Sequence, residues 1–371
     1  MESQKEEAHS REDKFLYIDY AIHIGWHNQY IWNKWRILMN RVLENNNLKV
    51  TISDAGAELI SVWDKSRNAE RIWRGDSAVW GRHAPILFPF VGKVAGGKYS
   101  YRGREYKMTS HGFARDRQFE LVSEDGGSVT HVLRWNEESL TVYPFEFALY
   151  VKHSLENADS RSVKVEWRVV NEAVEGGEDM LYGIGGHPAF TFPRDVKPVD
   201  CSLRIYGGTA AVNGNNISDN VAICRALRYR LLDTAGCIDM SQEYVLDMPE
   251  SCARITENMF DKDALIVLDN QVNHIELLDA AGKAYVTMDC QGFPYFGIWS
   301  KEVDEFICLE PWYSVADVAG CDGNIENKAG MQRLAAGVVT PKGKMTECYS
   351  AFIPDWNLFT SMCIGAVDHI P

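Results

Sequence analysis

Leu48-Lys49-Val50-Thr51-Ile52 alternates apolar and polar side chains, the period of a strand with one face in a core and the other toward water. Working outward from it, short alternating or β-rich runs recur at 98–108, 119–122, 130–135, 147–155, 163–170, 274–278, 285–288 and 306–310. Turn-forming clusters separate them, among them Asp125-Gly126-Gly127, Glu175-Gly176-Gly177 and Asp279-Ala280-Ala281-Gly282. Nowhere in this stretch do strands alternate with long amphipathic helices, which disfavours a βαβ fold. The pattern predicts an all-β chain, one large antiparallel β-sandwich over residues 48–353 without internal repeats. A length of 371 residues does not by itself require two domains, because sandwiches run past about 250 residues as one unit.

On either side the period changes. Apolar positions at Ile31, Trp35, Leu38 and Val42 follow three-and-four spacing, which predicts an N-terminal extension, residues 1–47, carrying a helix. Pro354-Asp355-Trp356 breaks the strand pattern, and residues 354–371 read as a C-terminal tail.

Charge and composition narrow the function. The net charge of −14, from 52 acidic against 38 basic side chains, argues against nucleic acid and anionic membranes as partners, since phosphate surfaces are held by clustered Lys and Arg. The nine cysteines are odd in number, confined to the second half and never spaced C-x-x-C. Neither a disulfide framework nor structural zinc is expected. The start Met1-Glu2-Ser3-Gln4-Lys5-Glu6-Glu7 has no apolar stretch behind it, and no apolar run reaches about 18 residues. These features predict a soluble cytoplasmic protein, monomer or homodimer.

Three segments place a titratable side chain among glycine, proline and aromatics. In Ser110-His111-Gly112-Phe113-Ala114-Arg115-Asp116 the glycine lets the backbone turn so that His111 faces a cavity, and Arg115 adds a fork of donors; a satisfied loop histidine is the plain alternative. In Tyr182-Gly183-Ile184-Gly185-Gly186-His187-Pro188-Ala189-Phe190, flanking glycines and proline predict an unusual backbone at His187, whose imidazole serves as acid or base near neutrality. The glycines do not read as a phosphate loop, lacking Gly-Lys-Ser/Thr and a following helix. In Phe306-Ile307-Cys308-Leu309-Glu310-Pro311-Trp312, a carboxylate at the end of an apolar strand is desolvated, which raises its pKa and strengthens it as a base; the alternative is an exposed strand-end glutamate.

Together with Pro85-Ile86-Leu87-Phe88-Pro89-Phe90-Val91-Gly92-Lys93, these segments resemble the aldose 1-epimerase (galactose mutarotase) family, and more closely its divergent branch near the hexose-6-phosphate mutarotases. The resemblance spans residues 48–353. It implies a supersandwich of antiparallel strands and a sugar substrate with no cofactor; a metal site made of His111, His187 and Glu310 is chemically possible, but no H-x-H or H-E-x-x-H spacing supports it. It further implies His187 as general acid, Glu310 as general base, and His111 as the group that binds and polarises the sugar. Family members carry Gly-Arg-x-x-Asn-Arg where this chain reads Gly92-Lys93-Val94-Ala95-Gly96-Gly97, so those sugar contacts do not carry over, and Lys93 is the candidate for part of that role. A sugar-holding aspartate matches Asp263 or its neighbour Asp261.

Ring opening needs one proton taken from the anomeric hydroxyl and one given to the ring oxygen, a task for one carboxylate and one histidine. Arg115, Lys93 and Asp263 are then left to position hydroxyls. Two rivals remain at this point. A glycoside hydrolase wants two carboxylates flanking one bond and gives the histidines no role, while a non-catalytic carbohydrate-binding module needs no matched acid and base. A free hexose and a hexose phosphate both fit, the latter because of Arg74, Arg82, Arg115 and Arg117.

Overall fold

The computed structural model describes residues 39–207, 222–336 and 347–352. Almost every element there is an antiparallel strand, and the sole α-helix among the described residues is the four-residue Glu137–Leu140, closed by a capping box between Asn136 and Ser139. Two sheets dominate. A ten-stranded sheet contains Glu120–Glu124, Ser128–Arg134, Phe147–Ser154 and Ser162–Asn171, then Glu347–Phe352, Ala284–Asp289, His274–Leu278 and Ser202–Gly207. A six-stranded sheet runs Leu265–Val267, Tyr295–Trp299, Phe306–Tyr313, Ile184–Gly186 and Ile86–Leu87, with Ala189–Thr191 also paired to Phe306–Tyr313.

The alternating runs become strands because their apolar face closes one core. Val163, Val165 and Trp167 from the large sheet cluster with Phe296, Ile298, Ile307 and Leu309 from the smaller one, and the Trp167 and Phe293 rings meet edge to face at 6.1 Å. The turn clusters act as expected. Asp125 accepts from the Gly127 and Ser128 N–H groups at 2.8 and 2.6 Å, and Asp279 from those of Ala281 and Lys283 at 2.9 and 3.0 Å. No helix of the described residues is long and apolar enough to cross a membrane.

The boundary at residue 48 is corrected by the structure. Asn40–Glu44 is already a strand, antiparallel to Leu48–Ser53 within a four-stranded sheet. The helical spacing that ran through Val42 fails there because Val42 is 45% exposed while Leu43, one residue on, is buried. Asn45 closes the hairpin by accepting from the Asn47 and Leu48 N–H groups at 2.9 and 2.8 Å. The expected helix through Ile31, Trp35 and Leu38 and the expected tail 354–371 lie outside the described residues.

Candidate active site

Phe306–Tyr313 is the strand on which the site is built, and all but its last residue are buried. Its two faces do different work. Ile307 and Leu309 point into the main core, whereas Cys308, Glu310 and Trp312 share the opposite face. Both Ile184–Gly186 and Ala189–Thr191 pair with this strand in one common register, Gly185 opposite Trp312 and Ala189 opposite Cys308. Between them Pro188 has no N–H to give, although its carbonyl accepts from Leu309 N–H at 3.2 Å, and the common register puts His187 across from Glu310. On the other flank Gly297 faces Glu310 and Trp299 faces Cys308.

The glycines of the second segment therefore serve packing. Gly185 and Gly297 sit beside the Trp312 indole so closely that a Cβ on either would overlap it, and Gly185 is extended strand, not a left-handed turn. This revises the expected unusual backbone at His187: what is special there is a proline break in an otherwise regular ladder. His187 N–H donates to the Pro85 carbonyl at 3.1 Å and Ala189 N–H to that of His83 at 2.9 Å. The stretch before Ile86–Leu87 is held in turn by Glu58, which accepts from the His83 and Ala84 N–H groups at 2.7 and 2.9 Å.

His187 Nε2 lies 3.2 Å from Glu310 Oε2, with the residues 6% and 1% exposed. The two atoms are close without a hydrogen bond, and among the described residues Oε2 has no hydrogen-bond partner. Burial, then the neighbouring charge of Asp263, pushes Glu310 well above the usual carboxylate range. Burial and the Arg115 cation pull His187 down to about 3. Both groups thus favour their neutral forms. Around the imidazole stand Trp80, stacked at 5.0 Å and 27°, and Trp299, edge-on at 5.6 Å. Neither tryptophan was singled out by sequence, since nothing in the local pattern at 80 or 299 distinguishes a site indole from a core one.

His111 meets the edge of the His187 ring at 5.5 Å. The backbone turns at Gly112, as the His-Gly pair suggests, and His111 is left-handed as well, at φ 65° beside 70° for the glycine; a side chain at Gly112 would collide with the Phe88 carbonyl. A left-handed histidine is sterically disfavoured. Phe113 and Ala114 hold the turn by donating to the Phe88 carbonyl at 3.0 and 3.1 Å. His111 Nδ1 accepts from Gly92 N–H at 3.2 Å, and burial together with His187 and Arg115 holds the ring neutral. A neutral ring whose Nδ1 accepts carries its proton on Nε2 and can donate there.

The remaining candidates are placed unevenly. Arg115 donates to the Ser110 carbonyl at 2.7 Å while its buried Nε has no partner, and burial followed by Arg82 lowers it to about 10. Arg82, held by Asp116 at 2.7 Å, also acts on His111 and His187. Asp263 is exposed, left-handed at φ 73°, and lies within electrostatic reach of Glu310. Lys93 is exposed and its side chain lies against Gly236.

Comparison with known proteins gives a consistent picture. The family model for aldose 1-epimerase matches residues 40–218. The chain is 31% identical to a galactose mutarotase related enzyme from Lactobacillus acidophilus, covering 85% of this chain and 98% of that one with a TM-score of 0.73. It is 28% identical to a galactose mutarotase-like protein from Lactobacillus casei, covering 85% and 99% with a TM-score of 0.69. Protein LacX of Lactococcus lactis is 28% identical over 278 residues, 73% of this chain and 86% of that protein.

Proposed function

The chain belongs to the aldose 1-epimerase family, and from that premise we propose that it interconverts the α and β anomers of a hexose or hexose phosphate by opening and reclosing the ring, without a cofactor. In this reading Glu310 takes the proton of the anomeric hydroxyl while His187 protonates the ring oxygen, so the bond from C1 to that oxygen breaks and the aldehyde forms. Rotation about the next carbon bond exposes the other face of the carbonyl. The same two groups then run the transfers in reverse, and the site ends with the protons it began with.

The observation that carries the reading is the buried, register-matched contact of His187 with Glu310. Both groups favour their neutral forms, so the single proton of the pair rests on the carboxyl. The reactive form, carboxylate with imidazolium, holds that same proton on the other partner. A sugar favours this arrangement because its anomeric hydroxyl donates to the carboxylate and its ring oxygen accepts from the imidazolium. Such proton transfers contribute roughly 10² to 10⁴ each. His111, with its proton on Nε2, donates to a further sugar oxygen, and Arg115 and Asp263 are the candidates for the hydroxyls. Trp80 and Trp299 keep bulk water from the imidazole.

The test is polarimetry of freshly dissolved α-anomers, free hexoses beside their 6-phosphates. Two guanidinium groups, Arg82 and Arg115, act on the histidines, which is why phosphates belong in the panel. Sugar binding without faster mutarotation would assign the chain as a binding module, and release of reducing sugar from a glycoside would make it a hydrolase.

A further inference from the structure

The face of Phe306–Tyr313 that carries Glu310 carries a second polar group two residues earlier, Cys308, which ring opening does not use. His187, Cys308 and Glu310 each offer one ligand atom, imidazole nitrogen, thiol sulfur and carboxylate oxygen, and all three atoms lie within 4.8 Å of one another. Cys308 is 0% exposed and packs with Trp73, Ala189 and Phe306. The grouping follows from register: Cys308 and Glu310 are separated by one inward residue on the same strand, and the register shared by the neighbouring strands sets His187 opposite Glu310.

We propose that this trio is a binding site for a thiophilic divalent cation such as Zn²⁺, and that occupancy inhibits the enzyme. Nitrogen, sulfur and oxygen donors are the set that tetrahedral zinc selects, at about 2.0–2.3 Å from the metal. Donors around such an ion stand roughly 3.3–3.8 Å apart by tetrahedral geometry, so a spread of up to 4.8 Å closes with small side-chain rotations. Glu310 Oε2 is buried without a hydrogen-bond partner, so no existing bond is lost when it turns to the ion. Binding releases the thiol proton and the carboxyl proton to solvent, and the resulting thiolate and carboxylate balance the two positive charges. The fourth position is left to water. A bound ion removes the acid and the base together, so the same residues cannot serve metal and sugar at once.

The experiment is titration of the full chain with Co²⁺ in the absence of sugar, read by absorbance. A thiolate-to-cobalt charge-transfer band is expected, removed by Zn²⁺, absent in Cys308→Ser and weakened in Glu310→Gln, with circular dichroism confirming that each variant is folded. In the activity assay Zn²⁺ should inhibit wild type, while Cys308→Ser retains its basal rate and needs at least ten times more Zn²⁺. No band with folded wild type, or a band that persists in Cys308→Ser, overturns the proposal; the second result would place the thiolate at another cysteine. Because the cobalt reading needs no turnover, it stands or falls separately from the mutarotase reading.

Discussion

Two buried histidine–carboxylate pairs in this molecule are built for opposite ends. In the ten-stranded sheet His131 Nε2 bonds Asp54 Oδ1 at 2.9 Å, and Arg41 adds two more bonds of 2.9 Å, one to each oxygen. Although burial pushes Asp54 up, bonds from Arg41 and His131 hold it below its ordinary value, so the carboxylate is charged and saturated. In the six-stranded sheet His187 and Glu310 stand 3.2 Å apart with Oε2 unpartnered, and no cation is bonded to the carboxylate. Burial therefore wins and Glu310 rises. A third, bonded cation turns a pair into structure; leaving it out keeps the proton available for transfer.

The comparison breaks most visibly in variants. His187→Asn should lower kcat by about 10² or more with little change in melting temperature, because it removes a proton-transfer group and keeps approximate size. Unchanged turnover in a folded variant would remove His187 from the chemistry. Asp54→Ala is the mirror case. It removes the carboxylate that His131 and Arg41 share, while Arg41 keeps Glu124 at 3.3 Å, so urea unfolding should show a loss of about 2 kcal/mol while kcat at a temperature where the protein stays folded is unaltered; lost turnover there would tie the two pairs together. His111→Asn should raise KM and lower kcat, each by about tenfold or less, the scale of one hydrogen bond. A change confined to stability would leave His111 structural.

Titration sharpens the contrast. The active pair holds one proton. It gains a second only as pH falls toward the depressed value of His187, about 3, and loses its own only as pH rises through the elevated range of Glu310. The limbs belong to the pair, not to either residue. The kcat/KM profile should therefore show no loss of rate as pH falls through 6.5, the ordinary histidine value. A rate that falls as pH drops through that value would mean that His187 titrates as an exposed imidazole.

Strands with one wet face were legible in the sequence. Leu48–Ser53 and Ser162–Asn171 alternate in burial as they do in polarity. Leu265–Val267 and Tyr295–Trp299 were not, because both faces are largely covered and periodicity vanishes. His111, His187 and Glu310 were marked by glycine, proline and aromatic neighbours. Trp80, Trp299 and Cys308 carried no such mark. Their place comes from register, Trp299 opposite Cys308 for instance, and register between distant strands is a property of the assembled sheet. For the same reason spacing favoured Asp263 without excluding Asp261, and in the structure the charge of Asp263 acts on Glu310.

The most direct measurement is NMR of anomer exchange on a freshly dissolved α-hexose and its 6-phosphate, with wild type and Glu310→Gln side by side at equal concentration. The expected result is fast equilibration by wild type on at least one of the two sugars. The variant should be slower by about 10² or more with an unchanged or higher melting temperature. Equilibration by Glu310→Gln at the wild-type rate, or by wild type no faster than in buffer alone, would contradict the account.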